Sequence, residues 1–133
     1  MNDSKLGAKF TFQDDEILYY EEDRVTILSN TSPRSTRYIG AMITITNYRI
    51  IISQKMLFGG YQIRYIINIG EAGPNFSISG GFVTCSTKKQ NIRLIEEKKT
   101  YIQIETTGGA WVGLLDVYSG TPQEIMSVVE THY

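Results

Sequence analysis

This chain has almost none of the residues that carry chemistry. Its 133 residues include one histidine, His132, one cysteine, Cys85, and one tryptophan, Trp111. A single cysteine excludes an internal disulfide and a multi-cysteine zinc site. Cys85 lies between Thr84 and Ser86 in a strand-like run, the setting of a small packed or surface residue rather than of a nucleophile. His132 stands next to the last residue, a poor place to hold a general base, so histidine–carboxylate and cysteine–histidine catalysis both lack their centre. Gly59-Gly60, Gly80-Gly81 and Gly108-Gly109 fall in turns and match no phosphate-loop fingerprint. Asp14, Asp15 and Glu16 are adjacent acids that read as a solvated lead-in rather than as paired carboxylates. The sequence is therefore that of a non-enzyme, and it calls for no metal and no cofactor.

Long apolar runs are missing too. None approaches the roughly 20 residues needed to span a bilayer as a helix. The opening MNDSKLGAKFTF lacks the apolar core of a secretory signal, so a cytoplasmic, reducing location is expected. The length suits one domain that can bury a core without staples. We expect a polar leader over residues 1–15 and a single domain over residues 16–133.

What is present is segregated charge and strand-forming sequence. The totals nearly cancel, 13 Lys and Arg against 14 Asp and Glu. From Arg24 to Gly70, however, there are Arg24, Arg34, Arg37, Arg49, Lys55 and Arg64 and no acid, whereas Asp14, Asp15, Glu16, Glu21, Glu22 and Asp23 cluster just upstream. A near-neutral chain divided this way can present a positive surface to an anionic partner.

Apolar and polar residues alternate through most of the chain. Val25 and Ile27 mark a first strand, followed by the turn-rich loop Ser29 to Ser35. From Arg37 to Thr46, Ile39, Ala41, Ile43 and Ile45 take one face and Gly40, Met42, Thr44 and Thr46 the other, the pattern of a half-buried strand. Asn47-Tyr48 turns the chain into Arg49 to Leu57, and Phe58-Gly59-Gly60 reverses it again. Tyr61, Ile63, Tyr65, Ile67 and Ile69 then alternate along a fourth strand, which puts Tyr61 and Tyr65 on one apolar face. Further strands fall at Phe76 to Thr87, with a bend at Gly80-Gly81, at Asn91 to Ile95 and at Thr100 to Thr106, seven in all. Trp111, Leu114, Leu115 and Tyr118 recur with helical spacing, although Gly113 and Ser119-Gly120 interrupt it and leave a strand open. Thr121, Pro122 and Glu124 form a capping-box start to a C-terminal helix striped by Ile125, Met126 and Val129.

One local pattern has relatives. Gly40 to Ile52, GAMITITNYRIII, resembles the strand–turn–strand hairpin of the GRAM and GLUE branches of the pleckstrin-homology superfold, and Glu22 to Leu28 is similar to their first strand. More loosely, the likeness extends over residues 16–131. Gly113 and Thr121-Pro122 depart from it by interrupting what that superfold builds as one longer terminal helix, and residues 71–81 are hard to align with it. The resemblance implies a mainly β fold, a PH-like barrel of about seven antiparallel strands capped by a C-terminal α-helix. It also implies a noncatalytic module that binds phosphoinositide or other anionic membrane lipids, with peripheral membrane attachment, or that docks a partner protein.

The basic residues best placed for an anionic headgroup are Arg34 and Arg37 beside the first hairpin loop, with Lys55 and Arg64 at the ends of neighbouring strands. Lys88, Lys89 and Arg93 form a second candidate cluster. Competing explanations exist for single residues. Arg49 is placed to brace its turn, Arg24 to pair with the acids before it, and Lys55 and Arg64 to face solvent. Phe58 reads as a turn residue folded onto the core, with a membrane or partner wedge as the alternative. Two other function classes stay open: a self-assembling or protein-interaction module without a lipid ligand, and a small-ligand β-barrel carrier. A nucleic-acid partner is not expected from a net charge of −1.

Overall fold

A computed structural model describes residues 4–7, 10–30, 35–69, 75–79, 82–88, 92–95, 101–103, 109–116 and 121–132. The chain is mainly β. Its strands are β1 (Leu18–Asn30), β2 (Ser35–Thr46), β3 (Arg49–Lys55), β4 (Tyr61–Asn68), β5 (Asn75–Ser79), β6 (Phe82–Lys88), β7 (Ile92–Ile95), β8 (Tyr101–Gln103) and β9 (Gly109–Asp116), followed by one helix, α1 (Thr121–His132). Every pairing is antiparallel, and the sheet order is β5-β6-β9-β1-β2-β3-β4-β7-β8. No pair joins the two ends of this order among the described residues, so the ladder is open rather than closed. No helix among them is long and apolar enough to cross a membrane.

Nine strands replace the seven counted from the sequence, for two reasons. The stretch Phe76 to Thr87 is a hairpin, β5 against β6, rather than one bent strand. The stretch from Trp111 is the strand β9, laid between β1 and β6 with Gly113 opposite both Leu28 and Thr84. Helical spacing of Trp111, Leu114 and Leu115 lost to the backbone hydrogen bonds that two flanking strands supply, a long-range gain no local period records.

The sheet is covered on both faces across β1 to β4. On one face Val25, Ala41, Ile43, Ile45, Ile50, Ile52, Tyr65 and Ile67 pack with Ile125 and Val129 of α1. That helix begins at Thr121 as expected, and Glu124 in its first turn accepts a 3.0 Å hydrogen bond from the Tyr20 hydroxyl. His132 in its last turn stacks on the Tyr19 ring at 3.9 Å. On the other face Leu6, Met42 and Ile51 form a second apolar cluster, with Phe10, Phe12, Tyr61 and Ile63 against it. The described residues of the segment read as a polar leader thus supply a third layer. For this reason Met42, Thr44 and Thr46, expected on an outer face, are fully buried.

Polar clasps hold that layer in place. Glu21 accepts hydrogen bonds from the Ser4 hydroxyl (2.6 Å), the Lys5 amide (2.7 Å) and the Thr44 hydroxyl (2.7 Å). At the far end, Arg49 grips the buried Glu16 carboxylate through Nε (3.0 Å) and Nη2 (2.9 Å), and Nη2 also reaches the Thr11 carbonyl at 3.0 Å. Thr46 donates to the same carboxylate at 2.6 Å. Arg49 therefore braces the β2–β3 turn, and it fastens residues 11–16 to that turn as well. Tyr48 donates to Asp15 beside it.

Alternation in β4 does not survive intact. Ile52 opposes Tyr65 while Ser53 opposes Ile63, so Arg64 is an extra residue that bulges out of the ladder. A bulge of one residue switches the face of everything beyond it. Tyr61 and Ile63 consequently lie on the face of the N-terminal segment, and Tyr65 and Ile67 lie on the helix face. The expectation that Tyr61 and Tyr65 share a face is corrected by this bulge.

Candidate functional site

Irregularities midway along β1 and β2 meet the turn that joins β3 to β4. In β1, Glu22 opposes Ile43 and Val25 opposes Ala41, which leaves Asp23 and Arg24 to face the single residue Met42. Arg24 takes up the bulge with φ of 62°, the one non-glycine in the left-handed region among the described residues. In β2 the register shifts again beside Gly40, between Val25↔Ala41 and Ile27↔Tyr38. Across the sheet, the β3–β4 turn is closed by hydrogen bonds from the Met56 amide to the Gly60 carbonyl (3.0 Å) and from the Gly59 amide to the Met56 carbonyl (3.2 Å). Gly59 and Gly60 hold φ of 98° and 76°, which residues with a Cβ adopt only with strain.

Between these features lies an open pocket of about 500 Å³. Its charged residues are Asp23, Arg24 and Lys55, and its apolar wall comes from Ile39, Met56, Leu57 and Tyr61. Asp23 is already engaged: Lys5 Nζ lies 3.0 Å from its carboxylate. The Lys5 hydrogen bond is the main reason the Asp23 carboxyl is held below its usual 3.8. Arg24 and Lys55 are exposed, and neither side chain makes an ion pair among the described residues. Lys5 makes the ion pair with Asp23, and Arg24 interacts with that carboxylate through its charge alone, so the pocket presents two exposed cations.

The left-handed conformation of Arg24 carries a cost. An L-residue there loses about 1–2 kcal/mol against its Cβ, while glycine loses about 0.5–1 kcal/mol of chain entropy instead. Arg24→Gly is expected to raise stability by about 0.5–1 kcal/mol in urea unfolding, while removing one of the pocket's two exposed cations. A loss of stability would mean that the Arg24 side chain contributes to the fold.

The basic residues singled out in the sequence reach different places. Lys55, at the end of β3 opposite Tyr61, lines the pocket. Arg64 is half-buried and committed to the protein: Nε and Nη2 lie 3.3 and 3.1 Å from Gln54 Oε1, and the guanidinium sits 5.5 Å above the Tyr38 ring. Gln54 in turn donates to the carbonyl of Ile39, a wall residue, at 3.2 Å. Arg64 is thus tied to the pocket wall rather than presented to solvent. Arg37 lies on β2 opposite Leu28, and Lys88 and Arg93 lie on β6 and β7, opposite Gly109 and Ile66. The side chains of these three fall outside the described residues, as do Arg34 and Lys89 entirely.

Arg24 is the cation that sequence reasoning assigned elsewhere. Two of its three expected acidic partners are engaged by the N-terminal segment, Glu21 by Ser4 and Lys5 and Asp23 by Lys5, while Glu22 accepts from the Tyr20 hydroxyl. Phe58, expected to fold onto the core, is 97% exposed, and Leu57 is 89% exposed. A signal for this existed, because the turn chemistry requires only Gly59-Gly60 and leaves two large apolar residues beside them without a structural task.

Compared with protein-family models, curated proteins and solved structures, the chain finds no match.

Proposed function

We propose that this chain is a noncatalytic binding module on a pleckstrin-homology-like plan, which docks on anionic membrane surfaces. The observation that carries the reading is the open pocket in which Arg24 and Lys55 are exposed while Lys5 holds the ion pair with Asp23. Two exposed cations at a solvent-open pocket can form charge-assisted hydrogen bonds to phosphate oxygens, as a phosphoinositide or phosphatidylserine headgroup would present. Support for the plan itself comes from the Gly40–Ile52 hairpin and from a C-terminal helix packed over one sheet face. The finer proposal, that the strands curl into a barrel under that helix, belongs to the same reading.

Vesicle flotation tests it. Binding to anionic vesicles should be salt-sensitive, since exposed charges are screened beyond a Debye length. Near an anionic leaflet each basic residue adds about 1 kcal/mol, so Arg24→Gln with Lys55→Gln should weaken binding roughly thirtyfold. A chain that floats equally with zwitterionic and anionic vesicles, or with neither, does not have this function.

A further inference from the structure

The β3–β4 turn carries a feature that the fold does not explain. Leu57 and Phe58 project from its tip 89% and 97% exposed, and Met56 beside them is 44% exposed. The turn is closed by backbone hydrogen bonds between Met56, Gly59 and Gly60, none of which depends on an apolar side chain at 57 or 58. Polar residues would serve the turn as well and cost less in water. Ile39, 69% exposed on β2, continues the apolar surface toward the pocket.

We infer that this tip is a membrane-inserting wedge, with Leu57 and Phe58 entering the acyl boundary of an anionic leaflet while Arg24 and Lys55 lie against its headgroups. The inference rests on the anionic-docking reading and adds how the module sits. Shape and charge complementarity select the bilayer as occupant. The apolar surface is a convex point made by adjacent residues of one turn, which offers little area to a folded partner but needs only shallow penetration in a lipid interface. The pocket that adjoins Leu57 supplies the exposed cations, its carboxylate is ion-paired with Lys5, and no acid occurs from Arg24 to Gly70. Lysine reaches headgroups from just below an inserted tip because its stem is apolar and its charge is terminal. Two side chains and two cations give reversible, not permanent, attachment.

The test compares the wild type with Leu57→Ser/Phe58→Ser by sedimentation with vesicles of phosphatidylcholine, with and without phosphatidylserine. Both substitutions are at exposed positions, so the variant should keep the wild-type unfolding midpoint, which is checked directly. Its binding to anionic vesicles should fall by about tenfold or more, given the apolar area withdrawn from lipid. An environment-sensitive fluorophore on Phe58→Cys, in a Cys85→Ser background verified to fold, should shift to the blue on vesicle addition. The same label on Ser127→Cys of α1 should not. If the wild type binds anionic vesicles but the tip variant binds as well, or the tip label does not shift, insertion is overturned and the docking reading stands. If the wild type binds no anionic vesicle, the docking reading fails and takes this inference with it. If the tip instead drives lipid-free dimerisation, seen by light scattering and lost in the variant, the wedge is overturned in favour of a second copy of the chain.

Discussion

Arg49→Met is expected to destabilise the protein by about 3–5 kcal/mol, the usual cost of stranding one member of a buried ion pair. Methionine keeps the length of the stem but leaves Glu16, whose side chain has no exposed surface, without its two guanidinium hydrogen bonds. The Thr11 carbonyl loses its donor as well. Chemical denaturation should show the lowered midpoint, and limited proteolysis should cut first within residues 10–16, the part that Arg49 fastens. The pH dependence provides an independent check. Burial by itself raises the Glu16 pKa, but hydrogen bonds from Arg49, Thr46 and Gln13 outweigh it and hold the carboxyl below its usual 4.5. A depressed folded pKa contributes stability that is complete above 4.5 and is lost as the pH falls through the folded value. In Arg49→Met, burial loses its main opponent, so the Glu16 pKa rises and the variant's deficit should shrink as the pH is lowered through it. A deficit that stays constant with pH would mean that the guanidinium acts by packing alone. Replacing both members, Glu16→Leu with Arg49→Met, should restore much of the loss, because neither charge is then stranded.

Tyr65→Ala should cost about 3–5 kcal/mol, whereas Tyr61→Ala should cost about 1 kcal/mol. Tyr65 is 2% exposed within the helix-side core, edge-on to Tyr38 with ring centroids 5.8 Å apart. Truncating it leaves a cavity that rigid strands on either side cannot close. Tyr61 is half-buried at the margin of the smaller cluster under the N-terminal segment and already faces the pocket. The comparison tests the bulge at Arg64, since uninterrupted alternation would place both tyrosines on one face and give them similar costs. Equal losses in urea unfolding would show that β4 keeps a regular register.

Where local chemistry dominates, the elements could be read from residues alone. The β2–β3 hairpin about Asn47-Tyr48 and the β3–β4 reversal at Gly59-Gly60 fall where the alternation breaks and the turn residues stand. The helix from Thr121 follows its proline and capping pattern, with Ile125 and Val129 inward as the stripe indicates. Of the candidate site, Lys55 alone stands out on the same grounds, as a cation at a strand end, whereas Phe58 read as a turn residue folded onto the core. What Phe58 lacked was a reason to choose between core and solvent, because hydrophobicity alone favours the core.

Composition and spacing by themselves determined that this is a strand-rich chain with a C-terminal helix, poor in catalytic side chains and segregated in charge. Tertiary structure alone decided the rest. It made a strand of Gly109–Asp116, because two neighbours satisfy its backbone where a helix would satisfy only itself. It turned residues 4–7 and 10–16 into a layer over Met42 and Ile51, because one exposed sheet face and a few apolar side chains in a polar lead-in bury each other. That layer engaged Glu21 and Asp23, two of the acids expected to pair with Arg24, and opposing register shifts set Arg24 at the pocket with Lys55. Which charges remain free depends on partners far away in sequence, and no local pattern contains that information.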